Sequence, residues 1–294
     1  MIVLVYRNRV LTLLGETLKS EFIDLGYECC ACTKYLLDND VIIDPKNIYI
    51  LIGPQLYDIN EIKKIRDTNA KIIGITTEGL HVLMGKKRSK VLIHLNMCDI
   101  LWCHQKNDID LIKSNTNISE IYYFPSGYSK YFNLSTDLEK YSKPQKKIIF
   151  LGHLGNGKRT EIWKKLSRAE LVFTCWDKTS YAKMFNTNYL YLNLGYPTVK
   201  FYGSPYRIMP LISNNCLIIS DNFDDHELNN LVIMCDNDKL DNVINDYLDN
   251  PKLASEKALK ISEWARDNFS MKGNLIRFGC KDCIDKLLSK LNVI

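Results

Sequence analysis

The sequence predicts an α/β protein of two doubly wound, Rossmann-like domains with a cleft between them. Three observations lead there. Runs such as Asn47–Ile52 (NIYILI) and Lys147–Leu151 (KIIFL) are continuously apolar, as strands of a parallel sheet covered on both faces are. They alternate with segments whose apolar residues recur at helical spacing. The rhythm breaks once, over Ser126–Gln145, and then restarts.

Taken in order, Ile2–Val5 is a first strand, and Leu11–Leu25 carries a helical pattern closed by Gly26-Tyr27. Glu28–Thr33 and Asn47–Ile52 read as strands, the latter ended by Gly53-Pro54. Ile59–Thr68 is amphipathic, with Ile59, Ile62 and Ile65 on one face, and Lys71–Thr76 is the next strand. Asp99–Cys103 and Ile121–Phe124 follow as strands, with a helix over Asp108–Lys113 between them. After the polar stretch at 126–145, Lys147–Leu151, Glu170–Cys175, Asn188–Leu192, Leu217–Ser220 and Leu231–Met234 are the strands of a second half. Its helices fall at Thr160–Ser167, Ser180–Phe185, Leu240–Asp249 and Ala254–Asn268, before a terminal helix around Asn274–Leu291. The domains expected are therefore 1–143 and 144–268, with the helix of about 269–294 packing back on the first.

The 294 residues are enough for two ordinary cores, and 46% hydrophobic with 25% charged residues is a globular composition. A net charge of +5, with no basic block, permits a polynucleotide partner without requiring one. No apolar run approaches the roughly 20 residues of a membrane helix, and Arg7 and Arg9 cut short the apolar start. A soluble, intracellular protein is expected, its ten cysteines reduced. Cys29-Cys30-x-Cys32, Cys98-x4-Cys103-His104 and Cys280-x2-Cys283 are fragments of zinc-ligand spacing, but none is a complete local set, and they read as buried thiols.

Two loops carry most of the chemistry. Leu192–Asp221 reads as a strand, a glycine-containing loop, a helix and a second strand ending at Ser220-Asp221. Ser204 is placed as N-cap, Pro205 as first helical residue, and Tyr206 and Arg207 in the first turn, an arrangement suited to phosphate. Pro210 falls inside this helix, which is therefore either kinked there or begins later. The second loop, Gly152-His153-Leu154-Gly155-Asn156-Gly157-Lys158-Arg159, follows a strand and sets two cations at a helix start. Its spacing is neither a Walker motif nor G-x-G-x-x-G, and it reads alternatively as an ordinary βα turn with solvated cations.

FLGHLGNGKRTEIWKKL, YLNLG and SPYRIMPLISNNCLIISD together resemble the nucleotide-binding domain of GT-B glycosyltransferases, in particular small bacterial and viral members with a group 1-like C-terminal module. LGETLKSEFIDLGYE, KIIGITTEGL and YFPSGY are weaker echoes in the first half. The resemblance implies donor contacts from His153, Gly155, Lys158, Arg159, Ser204, Tyr206 and Arg207, and a nucleotide-sugar co-substrate such as a UDP- or GDP-sugar. It implies no cofactor and no essential metal, since cations and helix N-termini would stabilise the leaving diphosphate. Two positions depart from the family's R-x-x-E-x4-G-x5-D run: Asn215 replaces the glycine, and Pro210 stands where many retaining members carry a ribose-binding glutamate. Trp176-Asp177, after a strand of the second half, is a further candidate for the donor base.

On the acceptor side, Thr76-Thr77-Glu78-Gly79-Leu80-His81 follows a first-half strand. Glu78 is a candidate catalytic base, read equally as a first-turn helix glutamate; His81 is named beside it and weighed against a surface histidine. Gly15 and Glu16, placed in the first βα loop, are acceptor-binding candidates. The function expected is transfer of a sugar to a hydroxyl of a glycan or protein. Two alternatives stand beside it: transfer to a hydroxylated DNA base, and a non-catalytic nucleotide- or sugar-binding protein.

Overall fold

A computed structural model describes residues 1–7, 9–33, 42–77, 88–134, 138–152, 154, 157–172, 178–195, 205–221 and 228–292. The chain forms two compact units, Met1–Ser126 with Met271–Ile294, and Gly127–Ser270.

The first unit holds a six-stranded parallel sheet of β1 (Ile2–Val5), β2 (Cys29–Cys32), β3 (Ile48–Ile52), β4 (Lys71–Ile75), β5 (Ile100–Cys103) and β6 (Glu120–Tyr123), in the order 2-1-3-4-5-6. Its central strands are buried along their length, which is why they read as unbroken apolar runs. Helices α1 (Arg9–Asp24), α2 (Ile59–Arg66), α3 (Arg88–Leu95) and α4 (Lys106–Lys113) connect them. A capping box starts α2: Asp58 accepts from the Asn60 N–H, while Glu61 reaches back to the Asp58 N–H at 3.0 Å.

The second unit repeats the plan with β7 (Ile148–Leu151), β8 (Ala169–Val172), β9 (Leu190–Asn193), β10 (Leu217–Ser220) and β11 (Ile233–Met234), in the spatial order 8-7-9-10-11. Every recorded pairing is parallel. Helices α5 (Lys158–Lys165), α6 (Lys178–Thr187), α7 (Pro205–Ser213), α8 (Leu240–Asp249) and α9 (Pro251–Asn268) complete it. Both units are thus Rossmann-like α/β layers, as the sequence leads one to expect. In each, the chain leaves the first strand toward one edge and returns past it, so the switch points lie at β1/β3 and at β7/β9.

Three local expectations change. Residues 127–145, read as a connection, pack into the second unit: Tyr141 stacks on Tyr189, the Leu134 N–H donates to Asn214 Oδ1 at 2.7 Å, and Lys140 Nζ donates to the Asn214 carbonyl. The terminal helix is two, α10 (Met271–Arg277) and α11 (Cys280–Asn292), because Gly279 turns the backbone at φ 75° against the Tyr122 ring. Both pack in the first unit, where Phe278 meets the Tyr123 ring edge-on and Asp285 accepts from the Tyr27 hydroxyl. Finally, α7 runs continuously from Pro205 through Pro210 to Ser213 and does not begin later. Burial of Ile208–Ser213 compensates the missing N–H of Pro210, and Asn214 Nδ2 donates to the Pro210 carbonyl at 2.7 Å.

Among the described residues, no helix is long and apolar enough to cross a membrane, and no three His, Cys, Asp or Glu side chains group as a metal site.

Candidate functional site

In open α/β sheets the ligand crevice lies beyond the strand C-termini at the switch point, so the ends of β7, β9 and β10 are where a site is to be sought. Gly152 follows β7 with φ 125°, a backbone that L side chains rarely adopt. A Cβ placed there would stand 3.4 Å from Arg207 Nη2, so the absence of a side chain makes room for that guanidinium. Arg207 lies in the first turn of α7, half-buried beside Tyr206, with its Cζ 5.8 Å from the Phe150 ring centroid. Arg159 Cζ lies 5.9 Å from the same ring. Two guanidiniums are therefore gathered about one buried side chain of β7.

Arg159 is only 5% exposed; its Nε donates to the Gly195 carbonyl at 3.0 Å and its Nη2 to that of Leu194 at 2.6 Å. The fork orders the exit of β9 and carries positive charge beneath it. Lys158, one position earlier, is exposed at the first position of α5. Gly157 caps that helix at φ 99° without a side-chain hydrogen bond, which leaves the cap without a competing oxygen.

Asp221 completes the group. Its Oδ1 accepts from the Gly195 N–H at 2.7 Å, and the residue is 4% exposed. Burial raises its carboxyl above the ordinary range; the Gly195 N–H and the charges of Lys158 and Arg159 oppose that rise. Asn193 and Ser220 lock the ends of β9 and β10 together, Asn193 Nδ2 donating to Ser220 Oγ at 2.9 Å and Ser220 Oγ to the Asn193 carbonyl at 3.1 Å. The sequence marks Asp221 as the end of a strand and the last residue of the R-x-x-E-x4-G-x5-D run; the N–H that holds its carboxylate is supplied 26 residues away, which no local pattern records.

The structure thus brings Lys158, Arg159, Tyr206 and Arg207 to one end of one sheet. His153, Gly155, Ser204, Trp176 and Asp177 lie outside the described residues.

In the first unit, Glu78 and His81 also lie outside the described residues. The ends of β4 and β5 hold a buried pair. The Thr76 hydroxyl accepts from the His104 backbone N–H at 3.3 Å and sits 3.1 Å from His104 Nδ1. Burial drops the imidazole to about 3, against a smaller upward effect of the Thr76 hydrogen bond. Gly15 and Glu16 are not in a loop. They lie within α1, which starts at Arg9 directly after β1, and the Tyr6 ring rests on the bare Cα of Gly15. The Tyr6 hydroxyl donates to Glu16 Oε1.

No protein-family model matches the chain, and no curated protein matches it by sequence. Solved structures do match. TarM superposes with a TM-score of 0.57 at 14% identity, over 86% of this chain and 57% of that one. The T4 phage BGT, solved with its UDP-glucose substrate, superposes at 0.56 and 12% identity, covering 98% of both chains. An alpha-glucosyltransferase in complex with UDP and a 13-mer DNA containing a HMU base gives 0.53 at 10% identity, over 98% of this chain and 99% of that one. The chain has the GT-B glycosyltransferase fold; at these identities the likeness is one of fold. The chain spans little more than half of TarM but the full length of the two glucosyltransferases.

Proposed function

We propose that the protein transfers a sugar from a nucleotide-sugar donor to a hydroxyl acceptor, with the donor diphosphate at the β7/β9 switch point of the second unit. The observation that carries this reading is the pair of guanidiniums, Arg159 and Arg207, within 6 Å of the Phe150 ring at the strand ends. Positive charge held at this strand end suits a diphosphate, whose oxygens accept charge-assisted hydrogen bonds. As the glycosidic bond breaks, negative charge grows on the departing diphosphate; Arg207, the Arg159 charge and the start of α5 stabilise it without requiring a metal. UDP-sugar and GDP-sugar donors both fit this chemistry.

Glu78 is proposed as acceptor base and His81 as a second catalytic candidate, with Glu16, exposed on α1, as an acceptor contact; Lys158, Tyr206, His153, Gly155 and Ser204 are proposed donor contacts. A thermal-shift panel of UDP, GDP and their glucose and mannose esters tests the donor. Arg207→Ala is expected to abolish both the shift and the release of sugar from the donor. If no nucleotide raises the melting temperature at many times a micromolar concentration, the reading fails.

One observation favours a specific acceptor. The full-length match is to glucosyltransferases described as DNA-modifying or bound to DNA, so a hydroxylated base in DNA is the second reading, ahead of a glycan or protein hydroxyl. Binding to hydroxymethylated duplex DNA, falling steeply with salt, supports it. Absence of DNA binding at low salt leaves the glycan or protein acceptor.

A further inference from the structure

We infer that Lys140 is a positioning residue for the donor diphosphate, acting through α7 from the end of that helix remote from Arg207. This rests on the donor site proposed above. A helix leaves its last carbonyls without intrahelical partners, and it carries partial negative charge there and partial positive charge at its start. At α7 the start is the turn of Pro205, Tyr206 and Arg207, where the diphosphate is placed. The helix ends at Ser213; Asn215 then takes a left-handed φ of 52°, and the Cys216 N–H returns to the Leu211 carbonyl at 3.0 Å. Two carbonyls at this end are taken by side chains of the turn Leu138–Tyr141. Lys140 Nζ donates to that of Asn214 at 2.5 Å, and the Tyr141 hydroxyl donates to that of Asn215 at 2.8 Å.

The two caps differ in charge. Tyr141 is neutral and stacks on Tyr189. Lys140 brings an ammonium into the interior: the residue is 5% exposed, with Cys216 Sγ 3.4 Å from Nζ and the Tyr141 ring centroid at 5.8 Å. Lysine is seldom buried to this degree, because desolvating its charge costs stability that a carbonyl and a thiol only partly return. A well-packed neutral side chain of similar volume is often as stable in such a place, or more so. Capping alone therefore does not call for a lysine, and Tyr141 performs it next door without charge. What a cation adds is electrostatic. It offsets the negative pole of α7, so the positive pole at Pro205–Arg207 acts on an anion with less opposition. The nine-residue helix is about 14 Å long and is buried from Ile208 to Ser213, so solvent screens little of this effect. The same bond fixes the helix along its axis, and with it the place of Arg207.

The test is isothermal titration, with thermal melts, of the wild type, Lys140→Met, Lys140→Gln, Lys140→Arg and Tyr141→Phe. The ligands are UDP, GDP, pyrophosphate, uridine and guanosine. Met keeps the volume without the charge, and Gln also keeps a donor for the Asn214 carbonyl, so that folding is preserved. Both are expected to bind pyrophosphate and the preferred nucleoside diphosphate about fivefold more weakly, the size of a helix-end charge effect, with the nucleoside unchanged. Lys140→Arg should bind as the wild type does. Tyr141→Phe should melt earlier and yet bind pyrophosphate unchanged. A lysine with a merely structural role would move the melting temperature without this selective loss of phosphate affinity. Three results overturn the inference and leave the donor site standing: wild-type pyrophosphate affinity in the Met and Gln variants, equal weakening of the nucleoside, or a loss in Tyr141→Phe as large as in Lys140→Met. Failure of the wild type to bind any nucleotide or pyrophosphate overturns the donor reading, and this inference with it.

Discussion

Replacing Gly152 with alanine separates backbone strain from ligand chemistry. The residue sits at φ 125°, so a Cβ imposes strain of about 1–3 kcal/mol whatever surrounds it. For a unit of this size that lowers the melting temperature by about 2–10 °C. The same Cβ stands 3.4 Å from Arg207 Nη2, tighter than most real contacts, so the guanidinium must yield by a few tenths of an ångström. A displaced phosphate-binding arginine weakens its charge-assisted bond, and about tenfold in donor affinity is expected. Gly26→Ala is the control. Gly26 also has a positive φ, 90°, but a Cβ there meets nothing within 4 Å. Both variants should melt earlier, and only Gly152→Ala should bind the donor nucleotide more weakly in titration. If the two lose stability alike and bind alike, Arg207 is not the cation that holds the ligand.

Further outcomes follow from the same geometry. His104 is neutral when folded, its imidazole held at about 3, and takes up a proton on unfolding below its ordinary 6.5. Its folded form is therefore fully favoured above about pH 6.5 and loses ground as pH falls, by about 2–3 kcal/mol at pH 4.5. Urea melts at pH 7 and pH 4.5 should show His104→Gln losing less stability on acidification than the wild type, and equal losses would refute the assignment. Gly15→Ala raises helix propensity by about 1 kcal/mol yet sets a Cβ 2.2 Å from the Tyr6 ring, so a net loss of about 2 kcal/mol is expected in denaturant melts. Sugar transfer should survive excess EDTA undiminished, because arginine charge carries the leaving diphosphate; loss restored by a divalent ion would contradict this.

Which parts of this molecule are legible along the chain follows from what is local. Buried parallel strands such as β3 and β7 announce themselves because both faces need apolar residues. The two-unit plan is legible because the strand-helix alternation restarts after residue 145. Helix α3 is not: Val91–Ile93 are three apolar residues in succession, Ile93 is exposed, and His94 is buried between the carbonyls of Lys90 and Tyr57, so no helical period stands out. The break at Gly279 is equally hidden, since the flanking segments are both helical.

At the candidate site the division is sharper. The sequence by itself determined that cations and glycines follow the strands of the second half, and that a helix starting at Pro205 presents Arg207. Only the tertiary structure decided what holds each of them in place. Arg159, read as a ligand contact, has its fork turned to two carbonyls 35 and 36 residues away, and Asp221, read as a strand end and the close of the family run, accepts from an N–H 26 residues away. Hydrogen-bond partners so distant in sequence leave no periodicity. They are chosen by the order 8-7-9-10-11, which sets β9 between β7 and β10 and so brings Gly195 between Arg159 and Asp221.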